Sequence, residues 1–302
     1  SGNSVERVEF TDLNNGWACS YNITSGSVFM KSTNGGINWS TVSFGAAADI
    51  RTFTFANVTT GWVAGNAGII YKTTNTGINW SSQFSGYLNR MSDIFFSDSD
   101  NGIVVGSAGF IAKTTNGGTN WMQQTSPTIK QLNSVYRIGN SYWAAGDTGT
   151  IIFSSNSGSN WTSQTSGTTS TLNSITFADM NTGWAVGNGG TLLKTANGGT
   201  NWSALTSGIS TIIYSVNFKD INTGWICGAS GVIRKTTDGG LNWTAQSSGL
   251  TSEELRSIRF VNISTGWTVG GGAASLKILK TTNGGDNWVQ QSVAHNLRLY
   301  SV

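Results

Sequence analysis

Fourteen acidic side chains, one histidine and two cysteines are the groups in this 302-residue chain that could carry chemistry. Paired carboxylates come first, because glycoside hydrolysis needs two acids about 5 to 9.5 Å apart. Removing the acids at recurring turn positions leaves Glu6, Glu9, Asp49, Asp93, Asp147, Glu253, Glu254 and Asp286, spread over the whole chain. Of these, Asp49, Asp147 and Glu253 fall in loops that could share one face. The lone His295 excludes a multi-histidine metal site, and no Asp-x-Asp-x-Asp-Gly calcium loop occurs. The expectation is therefore no catalytic residue, no metal and no cofactor. Cys19 and Cys227 share one register, where other copies of the repeat described below carry Ala64, Val105, Ala145, Val186 and Val269. They read as small core residues, too far apart for the ~7 Å Cα limit of a disulfide, and so as buried free thiols.

Composition narrows the class. Only 10% of residues are charged and the net charge is +3, without a basic run, which argues against nucleic acid. Lys31, Lys72, Lys113, Lys194, Lys235 and Lys280 occupy one repeat position, so most of the basic excess belongs to the scaffold. No stretch of 18 apolar residues suggests a membrane span. Abundant Ser, Thr, Asn and Gly with few charges suggest an exported protein, extracellular, periplasmic or on the cell surface.

The elements that must position any site are written as a repeat. An octapeptide ending in Trp, Ser32-Thr-Asn-Gly-Gly-Ile-Asn-Trp39, recurs with its Trp at 80, 121, 161, 202, 243 and 288, spaced by 41, 41, 40, 41, 41 and 45 residues. Ahead of it the unit reads as an aromatic, an Asp or Asn two residues on, then Gly-Trp and small apolar residues, as in Phe177 to Gly187. In copy five, strands are expected at 172–177 (A), 183–186 (B), 191–194 (C) and 202–205 (D), each bounded by turn residues. Four short antiparallel strands per 41 residues, seven times over, predict an all-β, seven-bladed β-propeller in one domain. The blades fall at about 4–45, 46–86, 87–127, 128–167, 168–208, 209–249 and 250–295, with 296–302 left as the start of a surplus strand A. Either the natural chain continues, or that strand pairs with an exposed edge in this molecule or another. The Asp or Asn at 12, 57, 98, 140, 179, 220 and 262, and the Asn or Asp of the octapeptide, read as turn formers rather than catalysts.

On these residues the chain resembles two families. The octapeptide is similar to the Asp-box of neuraminidase-type repeats, with Asn replacing Asp in six of seven copies. Gly-Trp-Ala-Val-Gly joined to Lys-Thr-x-Asn-Gly-Gly-x-Asn-Trp looks more specifically like the Ycf48-like propellers, known as photosystem II assembly factors. The first resemblance implies a carbohydrate-binding protein or glycosidase, although xyloglucanase-like relatives place their acids between two propellers and only one is present. The second implies a protein partner held by an arginine patch.

Position four before the aromatic of strand A reads Glu6, Arg51, Ser92, Asn133, Asn173, Tyr214 and Arg256, a polar ring at the expected mouth of the central channel, with Arg90 two residues ahead of its copy's member. Long B–C turns in copies one and seven, and Ser252-Glu253-Glu254 before copy seven, concentrate irregularity on blades six, seven and one. The candidate partner-binding residues are therefore Arg51, Arg90, Asn133, Asn173, Tyr214, Glu253, Glu254 and Arg256; the resemblance offers the three arginines for the patch. Without a partner, the same ring is ordinary polar channel lining. A scaffold that binds a protein or self-assembles is the leading expectation, with a glycan-binding or photosystem-assembly role as alternatives.

Overall fold

A computed structural model describes residues 4–21, 27–44, 49–272 and 275–293. Its strands form seven antiparallel sheets, each with the strand order A-B-C-D, arranged as the blades of a propeller. In blade five these are Leu172–Phe177, Gly183–Gly187, Leu192–Thr195 and Ser203–Ala204, with a single 3-10 turn, Asn188–Gly190, between B and C. The surplus segment 296–302 lies outside the described residues. Just before it, Ser292–Val293 leaves blade seven and pairs in parallel with Asn38 and Trp39, becoming a fifth strand on the outer edge of blade one.

What joins one blade to the next is an aromatic stack. The strand-B Trp of one blade lies flat on the strand-A Phe of the following blade: Trp62 on Phe96, Trp184 on Phe218 and Trp225 on Phe260, with centroids 3.4 to 3.6 Å apart. Trp267 of blade seven stacks on Phe10 of blade one at 3.6 Å, closing the ring. Each such Phe also meets its own octapeptide Trp edge-on, as Phe96 meets Trp121 at 5.8 Å and 87°. A fully buried indole needs a partner for its N–H. In five junctions that partner is a carbonyl in the octapeptide of the next blade: Trp62 donates to Gly117 O (3.0 Å), Trp143 to Gly198 O (2.9 Å), Trp184 to Gly239 O (3.0 Å), Trp225 to Gly284 O (2.9 Å) and Trp267 to Gly35 O (3.2 Å). The repeated lysine joins the same latch. Lys194 and Lys280 donate to the same Gly239 and Gly35 carbonyls (both 2.8 Å), and their ammonium groups sit 5.4 and 5.2 Å from the indole centroids.

The octapeptide turn is held by the side chain expected to hold it: Asn34 Oδ1 and Asp238 Oδ1 each accept the N–H four residues on, at 2.9 Å. The A–B turns behave likewise at Asp12, Asn57, Asp98, Asp179, Asp220 and Asn262, where one side-chain oxygen accepts two backbone N–H groups, as in Asp98 with Asp100 and Asn101 (2.8 Å each). Burial works to raise the Asp98 carboxyl, but these bonds together stabilise the charged form by more and bring it down to about 2. Asn140 does not share the role. In blade four, Ile138 pairs directly with Ser141, so only Gly139 and Asn140 remain in the turn and no N–H is left to cap. The Gly-Trp consensus also fails in two copies, which read Gly102-Ile103 and Tyr142-Trp143.

The innermost strands share a second device. Every strand A breaks register with strand B at one residue, between Val5 and Arg7, Ile50 and Thr52, Leu132 and Ser134, Leu172 and Ser174, Ile213 and Ser215, and Leu255 and Ser257, and likewise in blade three, where Asp93 and Met91 face consecutive residues. Such a β-bulge re-aims side chains. A glycine opposite it permits the close approach: the carbonyl of Asp49 receives the Asn66 N–H at 2.9 Å, and a Cβ on Gly65 would fall 1.8 Å from that carbonyl oxygen.

Two outcomes test this account. Gly65→Ala should lower unfolding free energy by about 1–3 kcal/mol, read by urea denaturation, because backbone rather than a mobile side chain must give way. Cys19 and Cys227 are buried free thiols, and burial pushes each up to about 12. A thiol reagent should label neither in the native protein at pH 8 and both after unfolding.

Candidate functional site

The bulge explains why two consecutive residues of each strand A face the central channel, where plain alternation would send one away. Together the pairs line a cavity of about 250 Å³. Its deeper layer is Arg7, Thr52, Asp93, Ser134, Ser174, Ser215 and Ser257. The four serines and Asp93 accept backbone N–H groups from the neighbouring strand A, which has no strand beside it on the channel side. Ser134 Oγ accepts from Ile175 (3.3 Å), Ser174 from Val216 (3.4 Å), Ser215 from Ile258 (3.3 Å) and Ser257 from Val8 (3.5 Å). Asp93 Oδ2 accepts from Val135 N–H at 2.9 Å. Arg7 replaces the hydroxyl in blade one. Its guanidinium reaches Thr52 Oγ1 at 2.9 Å, forms an ion pair with Asp93, and lies 3.7 Å from Glu9. Burial pushes the Glu9 carboxyl up, against the pull of Arg7 and Arg259.

The outer layer is the predicted ring of Glu6, Arg51, Ser92, Asn133, Asn173, Tyr214 and Arg256, with Arg90 also on the wall. Arg256 organises one side of it. It pairs with Glu254 and lies 3.5 Å from Glu6, its guanidinium carbon sits 4.6 Å from the Tyr214 ring centroid, and the Tyr214 hydroxyl donates to Glu254 at 3.0 Å. These four residues come from blades six, seven and one. Burial disfavours the Arg256 charge, but Glu6, Glu254 and Tyr214 more than offset it, and its pKa rises. Burial raises Glu6, only partly countered by Arg256 and Arg51. Burial also pushes the Tyr214 hydroxyl up to about 12. Elsewhere on the rim, Arg51 lies 3.5 Å from Asp49, while the amides of Asn133 and Asn173 donate to Asp147 and Asn188 (3.1 Å each) and to the Leu172 and Ile213 carbonyls of the next blade (3.0 and 2.9 Å).

Seven of the eight residues singled out in the sequence thus meet at the mouth, and Glu253 does not. Its carboxylate turns back to Ser252 (3.2 and 3.3 Å), and its carbonyl fastens Gly231. Sequence reasoning missed Arg7, Asp93, Arg259 and the serine layer. The signal was present as doublets of polar residues, Asn133-Ser134, Asn173-Ser174 and Arg256-Ser257, interrupting alternating strands. Among the described residues, five guanidinium groups (Arg7, Arg51, Arg90, Arg256, Arg259) and two carboxylates (Glu6, Asp93) line the cavity. Among the described residues, no group of three or more His, Cys, Asp or Glu side chains is placed to hold a metal ion, and no helix is long and apolar enough to cross a membrane.

No curated protein sequence matches the chain. Among solved structures it is similar to YCF48 from Cyanidioschyzon merolae, at 22% identity and TM-score 0.76 over 93% of this chain and 96% of that one. It is similar to a YCF48 bound to a D1 peptide, at 20% identity and TM-score 0.75 over 93% and 92%. A GH74 enzyme from Niastella koreensis follows at 15% identity and TM-score 0.59, over 97% of this chain and 67% of that one. At these identities the likeness speaks for the fold alone. Sequence carries the family: the profile described as photosynthesis system II assembly factor YCF48 matches residues 83–163, 123–196 and 195–298. With well over half of its length matched in that way, this propeller belongs to the YCF48 family of photosystem II assembly factors.

Proposed function

We propose that the protein is a non-catalytic partner binder of the assembly-factor type, and that the channel mouth receives an acidic segment of its protein partner. The observation that carries this reading is the wall of five arginines around a cavity of about 250 Å³. A guanidinium offers five donors, and Arg256 keeps one available beyond its bonds to Glu6 and Glu254: its Nε has no hydrogen-bond partner among the described residues. The mouth is also preformed: Ser85, Ser207 and Ser248 in the D–A loops fasten the B–C turns of their own blades at 2.7 to 2.8 Å, which lowers the ordering cost of binding. A family relative solved with a D1 peptide makes that peptide the natural first probe.

Titration with the labelled peptide should give saturable binding that weakens about tenfold or more in Arg256→Ala, as expected for losing a charge-assisted contact. Unchanged affinity in that variant, with native stability, would remove the mouth from the reading. The pH dependence has a fixed sign. Because burial raises Glu6, it takes up its proton at higher pH than an exposed glutamate, and the cavity becomes more positive as pH falls toward the ordinary carboxylate range. Affinity should therefore rise as pH falls from neutral toward the ordinary carboxylate range, and Glu6→Gln should bind more tightly at neutral pH with a flatter pH profile.

A further inference from the structure

The junction between blades three and four lacks the aromatic stack that closes the other six. Blade three carries Ile103 at the Trp position. In blade four the register Arg137 to Tyr142 matches that of Phe177 to Gly183 in blade five, so Arg137 stands at the Phe position and Tyr142 at the Gly position. The changes fit one another. A Cβ on Gly183 would lie 2.4 Å from the Phe177 ring, whereas without a ring at 137 there is room for a Tyr, whose centroid lies 5.7 Å from the Arg137 guanidinium carbon.

What remains is a cavity of about 170 Å³ lined by Asp98, Lys113, Arg137, Asn140, Tyr142 and Ser157, among others. It sits at the far end of strand Leu132–Ile138 from Asn133, and so on the face opposite the channel mouth. Lys113 is the latch lysine of its blade, but there is no indole for it to cover; among the described residues its ammonium donates to Ser159 Oγ at 3.2 Å. Arg137 Nε is buried with no hydrogen-bond partner among the described residues. The acid on the wall does not answer these cations. Both oxygens of Asp98 are engaged by Asp100, Asn101 and Ser97 at 2.8 to 3.0 Å within its own turn. Two half-buried cations thus face a polar void, one of them with a buried N–H left unpaired, and an anion would complete the site.

We propose that this notch binds a small oxyanion, held between the Arg137 guanidinium and the Lys113 ammonium. The volume equals about five or six waters at roughly 30 Å³ each, enough for one phosphate or carboxylate group with its remaining hydration. Guanidinium supplies a planar fork and ammonium a point charge, the combination suited to an oxygen-bearing anion over chloride. The site is independent of the channel mouth and of the reading given to it.

The test is thermal unfolding at constant ionic strength, with sodium chloride replaced stepwise by phosphate in one arm and by acetate in the other. A saturable rise in Tm is expected with at least one of them, in the wild type and in Arg256→Gln, which removes a mouth arginine. In Arg137→Gln and Lys113→Met the apparent affinity should fall about tenfold or more. A response to phosphate alone identifies a free or phosphoryl ion as the source; a response to acetate points to a partner's carboxylate. No response in either arm, or an undiminished one in Arg137→Gln, overturns the proposal. Crystals soaked in selenate give a readout independent of stability: anomalous signal is expected between Arg137 and Lys113, and its absence there sinks the assignment. The triple variant Ile103→Trp, Arg137→Phe, Tyr142→Gly restores the repeat's own stack, so it should melt higher than the wild type and ignore the ion.

Discussion

An indole laid flat on a phenyl ring of the next blade is the contact on which this molecule depends. A four-stranded blade with apolar side chains on both faces cannot stand alone, because each face must be covered by a neighbour. The stack supplies that cover with Trp17, Trp62, Trp143, Trp184, Trp225 and Trp267, all with no exposed surface. Stacked geometry adds about 0.5–1.5 kcal/mol per pair beyond the area buried. It also fixes what surrounds it. A buried N–H demands an acceptor, and the octapeptide turn of the next blade supplies a carbonyl; the lysine above the indole reaches for that carbonyl too. One interaction thus dictates four repeat positions, and the Trp267–Phe10 pair carries it across the seam between blade seven and blade one. The parallel pairing of Ser292–Val293 with blade one reinforces the same seam on the outside.

The inner edge poses the opposite problem. Strand A has strand B on one side and open channel on the other, which leaves backbone groups without a ladder. The bulge answers it by turning a second side chain inward, and the hydroxyl of that side chain reaches the next blade's N–H. Where Arg7 replaces a hydroxyl, the tie to the next blade runs the other way, the guanidinium donating to Thr52 Oγ1 and pairing with Asp93, buried enough that truncating either ionic partner would strand the other's charge. This inner layer leaves the outer one with few structural duties. Position four before the aromatic can be Glu, Arg, Ser, Asn or Tyr without disturbing the ring, and chemistry specific to one protein has room there.

Repetition made some of this legible and hid the rest. Seven copies of one octapeptide gave the blade count, and the shared register of Cys19 and Cys227 marked them as core residues. The ring of mouth residues was legible because counting back from the aromatic works even across a bulge. The bulge itself was not, since a two-residue pattern offers no place for an extra residue; only the polar doublets betray it. Glu253 looked equivalent to Glu254 because sequence does not say which of two adjacent acids faces a neighbour. Asn140 looked like its counterparts because a turn shortened by direct pairing of Ile138 with Ser141 is a matter of register. The strand at Ser292–Val293 has no periodicity to read, being two residues long.

The notch between blades three and four was the hardest feature to see, and the reason bears on its meaning. Arg137 at a Phe position, Tyr142 at a Gly position and Ile103 at a Trp position each look like ordinary variation in a degenerate repeat. In three dimensions they are one substitution made with three residues. Ile for Trp alone would leave an apolar hole against the facing ring, and cavities of that kind destabilise. Arg for Phe alone would leave the indole without its stacked ring and the facing glycine without the ring it makes room for. Tyr for Gly alone would collide with the Phe. Only the set is compatible with a closed ring, and what the set builds is a polar chamber with cations on its wall. The mouth varies where the fold is indifferent; the notch varies where each change alone would be resisted, and the three together exchange a stacked junction for a chamber in which an anion can sit.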